Sequence, residues 1–98
     1  MKRNTAYSRD AAETLAIDAL GWIASTDDLL DAFMGASGVG RDHLRDRLDD
    51  PDFLAAILDF LLMNDAWITG FCDARDLPYE APASARAALP GGAQVHWT

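Results

Sequence analysis

The chain is poor in cysteine, in basic side chains and in long apolar runs. A single cysteine among 98 residues cannot form an internal disulfide. Eight Lys and Arg against 16 Asp and Glu give a net charge of −8, which repels nucleic-acid phosphates and anionic membrane surfaces. The longest apolar run, residues 53–63, is too short to cross a bilayer, and no apolar stretch follows the basic start as in a secretory signal. We therefore expect a cytoplasmic protein that binds neither nucleic acid nor membrane.

Features that favour β-strands are also missing. Val and Ile together number six, no stretch alternates polar and apolar residues, and no Asn-Gly or Asp-Gly pair predicts a hairpin. Ala and Leu dominate the apolar half of the composition, and both favour helix. The sequence predicts an all-α fold, a compact bundle of five to six short helices around a central apolar helix at about 51–63. One domain should cover 8–92, with a disordered tail at 1–7 and a loosely ordered tail at 93–98.

The first helix should begin after the N-cap Ser8 and end near Ser25. Its apolar residues lie on one half of the helical wheel, except Ile17, which falls among the polar residues. Single exposed apolar side chains are common, so Ile17 is only a weak candidate for a contact surface. Thr26 should cap a second short helix, and the glycine-rich segment 35–40 should form the loop after it. A further short helix is expected over 41–48.

The pair Asp50-Pro51 is the sharpest local signal, because Asp at an N-cap binds a free amide and Pro suits the first helical position. Apolar residues cover more than half of the helix that follows, leaving Asp52, Ala55 and Asp59 as a narrow polar strip. We predict that this helix is the hub of the bundle. Another helix should start at Asn64 or Asp65, and a last one should cover 83–89. The large side chains expected to pack around the hub are Leu15, Trp22, Phe33, Trp67 and Phe71.

Three short motifs resemble functional sites, but each has a simpler explanation. The glycines of 35–40 lack both the preceding strand of a dinucleotide-binding loop and the Gly-Lys-Ser/Thr of a phosphate loop, so they indicate a helix end. His43, Cys72 and His96 match no zinc spacing; His43 is expected at the surface and Cys72 in the core. Asp49, Asp50 and Asp52 lack the Gly and Glu of a calcium loop and fit a helix start. We predict no catalytic, cofactor-binding or metal-binding residue.

Three acids are not explained by helix starts or by neighbouring arginines: Asp18, Asp59 and Asp73. Asp59 interrupts the central helix, so it either faces solvent or is buried with a partner such as Arg86 or Trp67. Solvent exposure is the favoured prediction. A buried and partnered Asp59 would instead indicate a specificity or binding site.

Residues 50–62, with the sequence DPDFLAAILDFLL and then Asp65, resemble the core signature of a small all-helical proteobacterial family of unknown function. The first helix around Leu15–Ile23 and the late segment 85–91 are similar to that family's other blocks. Pro82 departs from the family pattern inside the last helix. The resemblance implies a compact helical domain, covers roughly residues 12–92, and transfers no catalytic or binding residue.

Three functions are compatible with these features. The preferred hypothesis is a non-enzymatic interaction or regulatory module that binds another protein, with the negative charge favouring a basic partner. A second is an acidic mimic of nucleic acid that blocks a DNA-binding protein, which requires carboxylates in rows. The third is an enzyme or small-molecule carrier with an interhelical pocket around Asp59, His43 or Cys72. The tail segment Val95-His96-Trp97 either frays, the favoured prediction, or docks on the core or a second copy.

Overall fold

The computed structural model describes residues 7–90, and every regular element within them is helical. Two short 3-10 helices, Arg41–His43 and Arg45–Arg47, connect the second α-helix to the third. This architecture confirms the predicted all-α class. The predicted tails at 1–7 and 93–98 lie outside the described residues, apart from Tyr7, which packs against the core. The five α-helices are α1 (Arg9–Ala24), α2 (Leu29–Ser37), α3 (Pro51–Leu62), α4 (Asp65–Arg75) and α5 (Ala81–Ala87).

Helix α3 is the hub, as predicted. The Asp50 side chain accepts a hydrogen bond from the Asp52 N–H over 2.9 Å, and Pro51 begins the helix. Helix α3 packs against each of the other four α-helices. One expectation was wrong: Ala55 is buried rather than part of a polar strip, because packing on several sides of α3 covers this small side chain. The buried residues of α3 are Phe53, Leu54, Ala55, Ile57, Leu58, Phe60 and Leu61.

An aromatic ladder joins α2, α3 and α4. The ring of Phe33 lies 5.8 Å from that of Phe53 and 5.3 Å from that of Phe60 between centroids. Trp67 stacks on Phe60 with 4.7 Å between the ring centroids. These contacts place Phe33 and Trp67 around the hub as expected. Trp67 therefore packs against Phe60 rather than pairing with Asp59.

A separate aromatic contact ties α4 to α1. The rings of Trp22 and Phe71 meet edge to face at 6.1 Å. Gly70 permits this approach, because a Cβ atom at that position would lie 2.9 Å from Cζ2 of Trp22. Trp22 remains half-buried, whereas Phe71 is fully buried.

Helix α4 turns sharply away from α3. Asn64 caps it by accepting hydrogen bonds from the N–H groups of Ala66 and Trp67.

Within residues 7–90 no single helix is long and apolar enough to span a membrane, and only α3 and α4 taken together reach that criterion, across a bend of 109°.

Both ends of α2 differ from the prediction. Thr26 does not cap it, because the Thr26 hydroxyl donates instead to the Trp22 carbonyl at the end of α1 over 2.7 Å. Asp28 takes the N-cap position with a left-handed backbone (φ 65°) and no side-chain cap. The helix then continues through Gly35 to Ser37 and ends at Gly38, whose φ of 76° suits glycine. The glycine-rich loop is therefore shorter than expected.

Two further boundaries were also wrong. The helix expected over 41–48 is replaced by the two 3-10 helices, because Leu44 and Leu48 are only half-buried and provide too little packing to hold a full helix. Helix α5 begins at Ala81 rather than near residue 83. Pro82 lies in its first turn, where the missing N–H has no partner within the helix, so it does not interrupt α5.

Candidate functional site

An open apolar groove runs along the outer side of α1 and is closed on one side by the chain that follows α4. Its volume is about 580 Å³. We name it the α1 groove and define it by the residues that line it, which are Tyr7, Ala11, Thr14, Leu15, Ile17, Asp18 and Leu77.

The groove forms because α1 packs only one of its faces against the rest of the protein. Ser8 starts α1 by accepting a hydrogen bond from the Ala11 N–H over 3.0 Å. The inner face of α1 packs against α3 and α5 and buries Ala12, Leu15, Ala16, Ala19, Leu20 and Ile23. Ile17 lies away from this face with 42% of its surface exposed. The residue that broke the sequence pattern is therefore part of an apolar surface rather than an isolated exposed side chain.

The polar groups that line the groove are largely engaged within the protein. The Thr14 hydroxyl donates to the Asp10 carbonyl of its own helix over 3.0 Å. The Asp18 carboxylate accepts a hydrogen bond from Arg75 Nε over 2.8 Å. Both polar side chains are thus satisfied without a ligand, and the remaining lining is hydrocarbon apart from the phenol oxygen of Tyr7.

Leu77 reaches the groove because the chain reverses at the end of α4. Asp76 adopts a left-handed backbone with φ of 58°, which ends the helix. The Leu77 N–H then donates back to the Cys72 carbonyl over 2.9 Å, which holds Leu77 against the last turn of α4. The Leu77 side chain is half-buried against the core. This wall of the groove is about sixty positions in sequence from the α1 residues it faces.

The ion pair between Asp18 and Arg75 joins the two walls. The Arg75 guanidinium also lies over the Phe71 ring, 5.9 Å from its centroid. Both charged side chains are partly exposed, so solvent screening limits the stabilisation from their attraction to about 0–1 kcal/mol. Asp18, which no local feature explained, thus has a tertiary partner at the edge of the groove.

Asp59 also has a partner, although it lies in solvent as the favoured prediction stated. Arg86 of α5 donates from Nε to Asp59 Oδ1 over 2.7 Å and from Nη2 to Oδ2 over 3.2 Å. A third donor, Nη1 of Arg86, reaches the Pro90 carbonyl over 2.8 Å. Arg86 is thus a link between α3, α5 and the chain after α5, and Trp67 takes no part in it.

The third unexplained acid, Asp73, accepts a hydrogen bond from the Tyr79 hydroxyl over 2.8 Å. This hydrogen bond, and then the negative charge of Asp73, raise the pKa of Tyr79 above its ordinary value.

The neighbouring Cys72 is fully buried. Its burial, followed by the charges of Asp73 and Glu80, raises the pKa of the Cys72 thiol, which keeps it protonated and disfavours nucleophilic chemistry.

The other residues considered for chemistry do not come together. His43 is exposed on the first 3-10 helix, and Cys72 lies in the core. Among residues 7–90, no three His, Cys, Asp or Glu side chains lie close enough to hold a metal ion. His96 and the segment Val95-His96-Trp97 lie outside the described residues. Asp50 is the N-cap of α3, which agrees with the prediction that Asp49, Asp50 and Asp52 belong to a helix start.

A second, smaller groove lies between α2 and α3. It has a volume of about 210 Å³ and includes Met63, the most exposed large apolar side chain among residues 7–90, at 73%. Met63 follows the last residue of α3 and offers a comparison for Ile17. Both are exposed, but only Ile17 lines the larger groove.

Sequence reasoning missed Tyr7 and Leu77 as parts of the site. Tyr7 was expected in the disordered tail 1–7, and no sequence feature singled out Leu77. The only local signal was the position of Ile17 on the polar side of α1.

A family model described as "Protein of unknown function (DUF3572)" matches residues 9–92, which is most of the chain, so the chain belongs to the DUF3572 family. This match confirms the resemblance of the sequence to a family of unknown function. No curated protein and no solved structure matches the sequence.

Proposed function

We propose that this member of the DUF3572 family is a non-enzymatic module that binds another protein at the α1 groove. The observation that carries the proposal is the apolar lining of the groove, with Ile17 exposed in it. Contiguous exposed apolar surface on a small domain favours an interaction site, because covering it removes hydrocarbon from water.

The geometry of the groove supports a protein rather than a small molecule as the partner. The groove is open, and two of its three polar side chains, Thr14 and Asp18, already have partners within the chain. Small-molecule sites are more enclosed and offer several convergent polar groups. A protein surface can instead cover an open apolar strip without such groups.

The two alternative functions have less support. A pocket enzyme around Asp59, His43 or Cys72 would need a desolvated reactive group, whereas Asp59 and His43 are exposed and Cys72 is held as a thiol. A nucleic-acid mimic would need rows of carboxylates. Five acids are engaged in ion pairs, and the others within residues 7–90 are spread over three α-helices, the two 3-10 helices and the connections. We therefore prefer the interaction module.

The test compares two single substitutions that place the same charge at two exposed apolar positions. Ile17→Glu introduces a carboxylate into the α1 groove, and Met63→Glu introduces one at the smaller groove. The wild type and both variants are immobilised after circular dichroism has shown equal helix content. Proteins retained from a lysate of the source cells are then quantified by mass spectrometry.

We expect at least one protein to be retained by the wild type and by Met63→Glu, and to be lost with Ile17→Glu. An added charge in an apolar contact leaves the carboxylate desolvated, so binding should weaken about tenfold or more. If every retained protein responds equally to the two substitutions, or if none depends on Ile17, the proposal is wrong.

A further inference from the structure

We infer that the occupant of the α1 groove is a basic amphipathic helix of about three turns, contributed by the partner protein. This inference rests on the proposed function and specifies the chemistry of the partner segment. Two observations support the inference. They are the helical spacing of the groove residues on α1 and the charges near the rim of the groove.

The spacing favours a helix that lies along α1. On α1, Ala11, Thr14 and Asp18 line the groove at intervals of three and four residues, and Tyr7 lines it from the chain just before the helix. The three α1 positions form one stripe on the helical surface and extend over about 10 Å, at about 1.5 Å per residue. Ala11 and Thr14 in this stripe are small and allow a second helix to approach closely. A partner helix of three turns, about 16 Å long, covers this stripe and extends past both of its ends.

The rim of the groove favours positive charge on that helix. Arg9 and Arg75, the basic residues that flank the groove within residues 7–90, are paired with Glu13 and Asp18. Two further exposed carboxylates belong to the sequence neighbours of lining residues, Asp10 before Ala11 and Asp76 before Leu77, and neither has an ion-pair partner among the described residues. Lys or Arg on the flanks of the partner helix would meet these two carboxylates, one from each wall.

The same charges disfavour two other occupants. A second copy of this chain would bring another net charge of −8 against the first. An anionic membrane would meet the rim carboxylates with like charge. A basic helix with an apolar stripe is complementary to both the lining and the rim, which corresponds to the helix-in-groove mode of recognition.

The test uses three synthetic peptides of equal length and measures binding to the ¹⁵N-labelled protein by NMR. The first has Leu at helical spacing and Lys on the flanking positions. The second has the same composition in scrambled order, so that it keeps the charge but loses the apolar stripe. The third keeps the stripe and replaces every Lys by Glu.

We expect the first peptide to bind saturably and to shift the amide signals of Thr14, Ile17 and Leu77 while leaving that of Met63 in place. The scrambled and acidic peptides should bind at least about tenfold more weakly. The inference is overturned if the scrambled or the acidic peptide binds as well as the first. It is equally overturned if the first peptide does not bind, or if the shifts spread over the whole surface.

A matched pair of double variants tests the role of the rim. Asp10→Asn with Asp76→Asn removes two charges at the groove, and Asn tolerates the left-handed backbone at position 76. Asp42→Asn with Asp46→Asn removes two charges in the 3-10 segment between α2 and α3. We expect the first pair to weaken the basic peptide several-fold more than the second, and equal effects would contradict the inference.

The two proposals fail in different ways. A natural partner that depends on Ile17 but is displaced only by the acidic or the scrambled peptide would refute the basic helix and keep the interaction module. If no natural partner depends on Ile17, the interaction module fails, whatever the synthetic peptides do.

Discussion

Helices α3 and α1 show two ways in which a helix uses its apolar residues. Helix α3 is apolar around most of its circumference and packs against every other α-helix. Helix α1 buries one face against α3 and α5, and its other side, with Ile17, remains open in the α1 groove. The difference separates residues that hold the fold together from a residue that the fold leaves exposed. Substitutions in α3 should therefore cost stability, whereas Ile17 should matter mainly for binding.

The largest effect should come from removing a ring of the aromatic ladder. Phe60→Ala deletes the contacts with Phe33 and Trp67 and leaves a cavity in the hub, so we expect a loss of about 3–5 kcal/mol in the free energy of unfolding. Urea denaturation followed by circular dichroism measures it. Met63→Ala, at an exposed site just after the same helix, should change stability by less than about 0.5 kcal/mol. A loss below about 1 kcal/mol for Phe60→Ala would refute the role of α3 as the hub.

A second prediction compares two glycines with the same substitution. A Cβ atom at Gly70 would lie 2.9 Å from the Trp22 ring, whereas one at Gly21 of α1 meets nothing within 4 Å. Gly21→Ala should stabilise the protein by about 0.5–1 kcal/mol through helix propensity. Gly70→Ala gains the same propensity but displaces Trp22 from Phe71, so it should be at least about 1 kcal/mol less stable than Gly21→Ala. Equal melting temperatures would show that α4 does not depend on this close approach.

The ion pairs allow a third comparison. Arg86→Ala removes two hydrogen bonds to Asp59 and one to the Pro90 carbonyl, and we expect a loss of about 1–2 kcal/mol. Arg41→Ala removes a single long contact of 3.5 Å to Asp31, with both side chains mostly exposed, and should cost no more than about 0.5 kcal/mol. Thermal unfolding of the two variants side by side distinguishes them. A greater loss for Arg41→Ala would reverse our ranking.

The smallest effect concerns pH. The hydrogen bond to Asp73 and the charge of that carboxylate raise the pKa of Tyr79 above 10.0, so the folded protein holds this proton more tightly than the unfolded chain. The contact therefore stabilises the fold at pH values below 10, and this stabilisation is lost as the pH rises through the folded pKa. Asp73→Ala should lower the pKa of Tyr79 toward the ordinary value, which ultraviolet titration of the phenol measures. An unchanged titration curve would contradict the contact.

The comparison of α3 with α1 also shows what could be predicted from the sequence. The start and the burial of α3 follow from local signals, an Asp-Pro cap and a mostly apolar wheel, so both were predicted. The partners of Asp18 and Asp59 lie 57 and 27 residues away. Arg86 was named as a candidate partner of Asp59, but only for a buried Asp59, and no local pattern indicated Arg75 as the partner of Asp18. Leu77 reaches the α1 groove because the backbone turns left-handed at Asp76, a conformation that Asp tolerates but that the sequence does not specify. The sequence identifies Ile17 as an apolar residue on the polar side of α1, but it does not identify Tyr7 and Leu77, which line the groove with it.

The most direct test of the α1 groove is photo-crosslinking in living cells. A photoreactive phenylalanine analogue is introduced at position 17 in one strain and at position 63 in another, and crosslinked products are detected after irradiation. We predict a discrete adduct with another protein at position 17 that is absent or much weaker at position 63. No adduct at position 17, or the same adducts at both positions, would contradict the assignment of the α1 groove as the interaction surface.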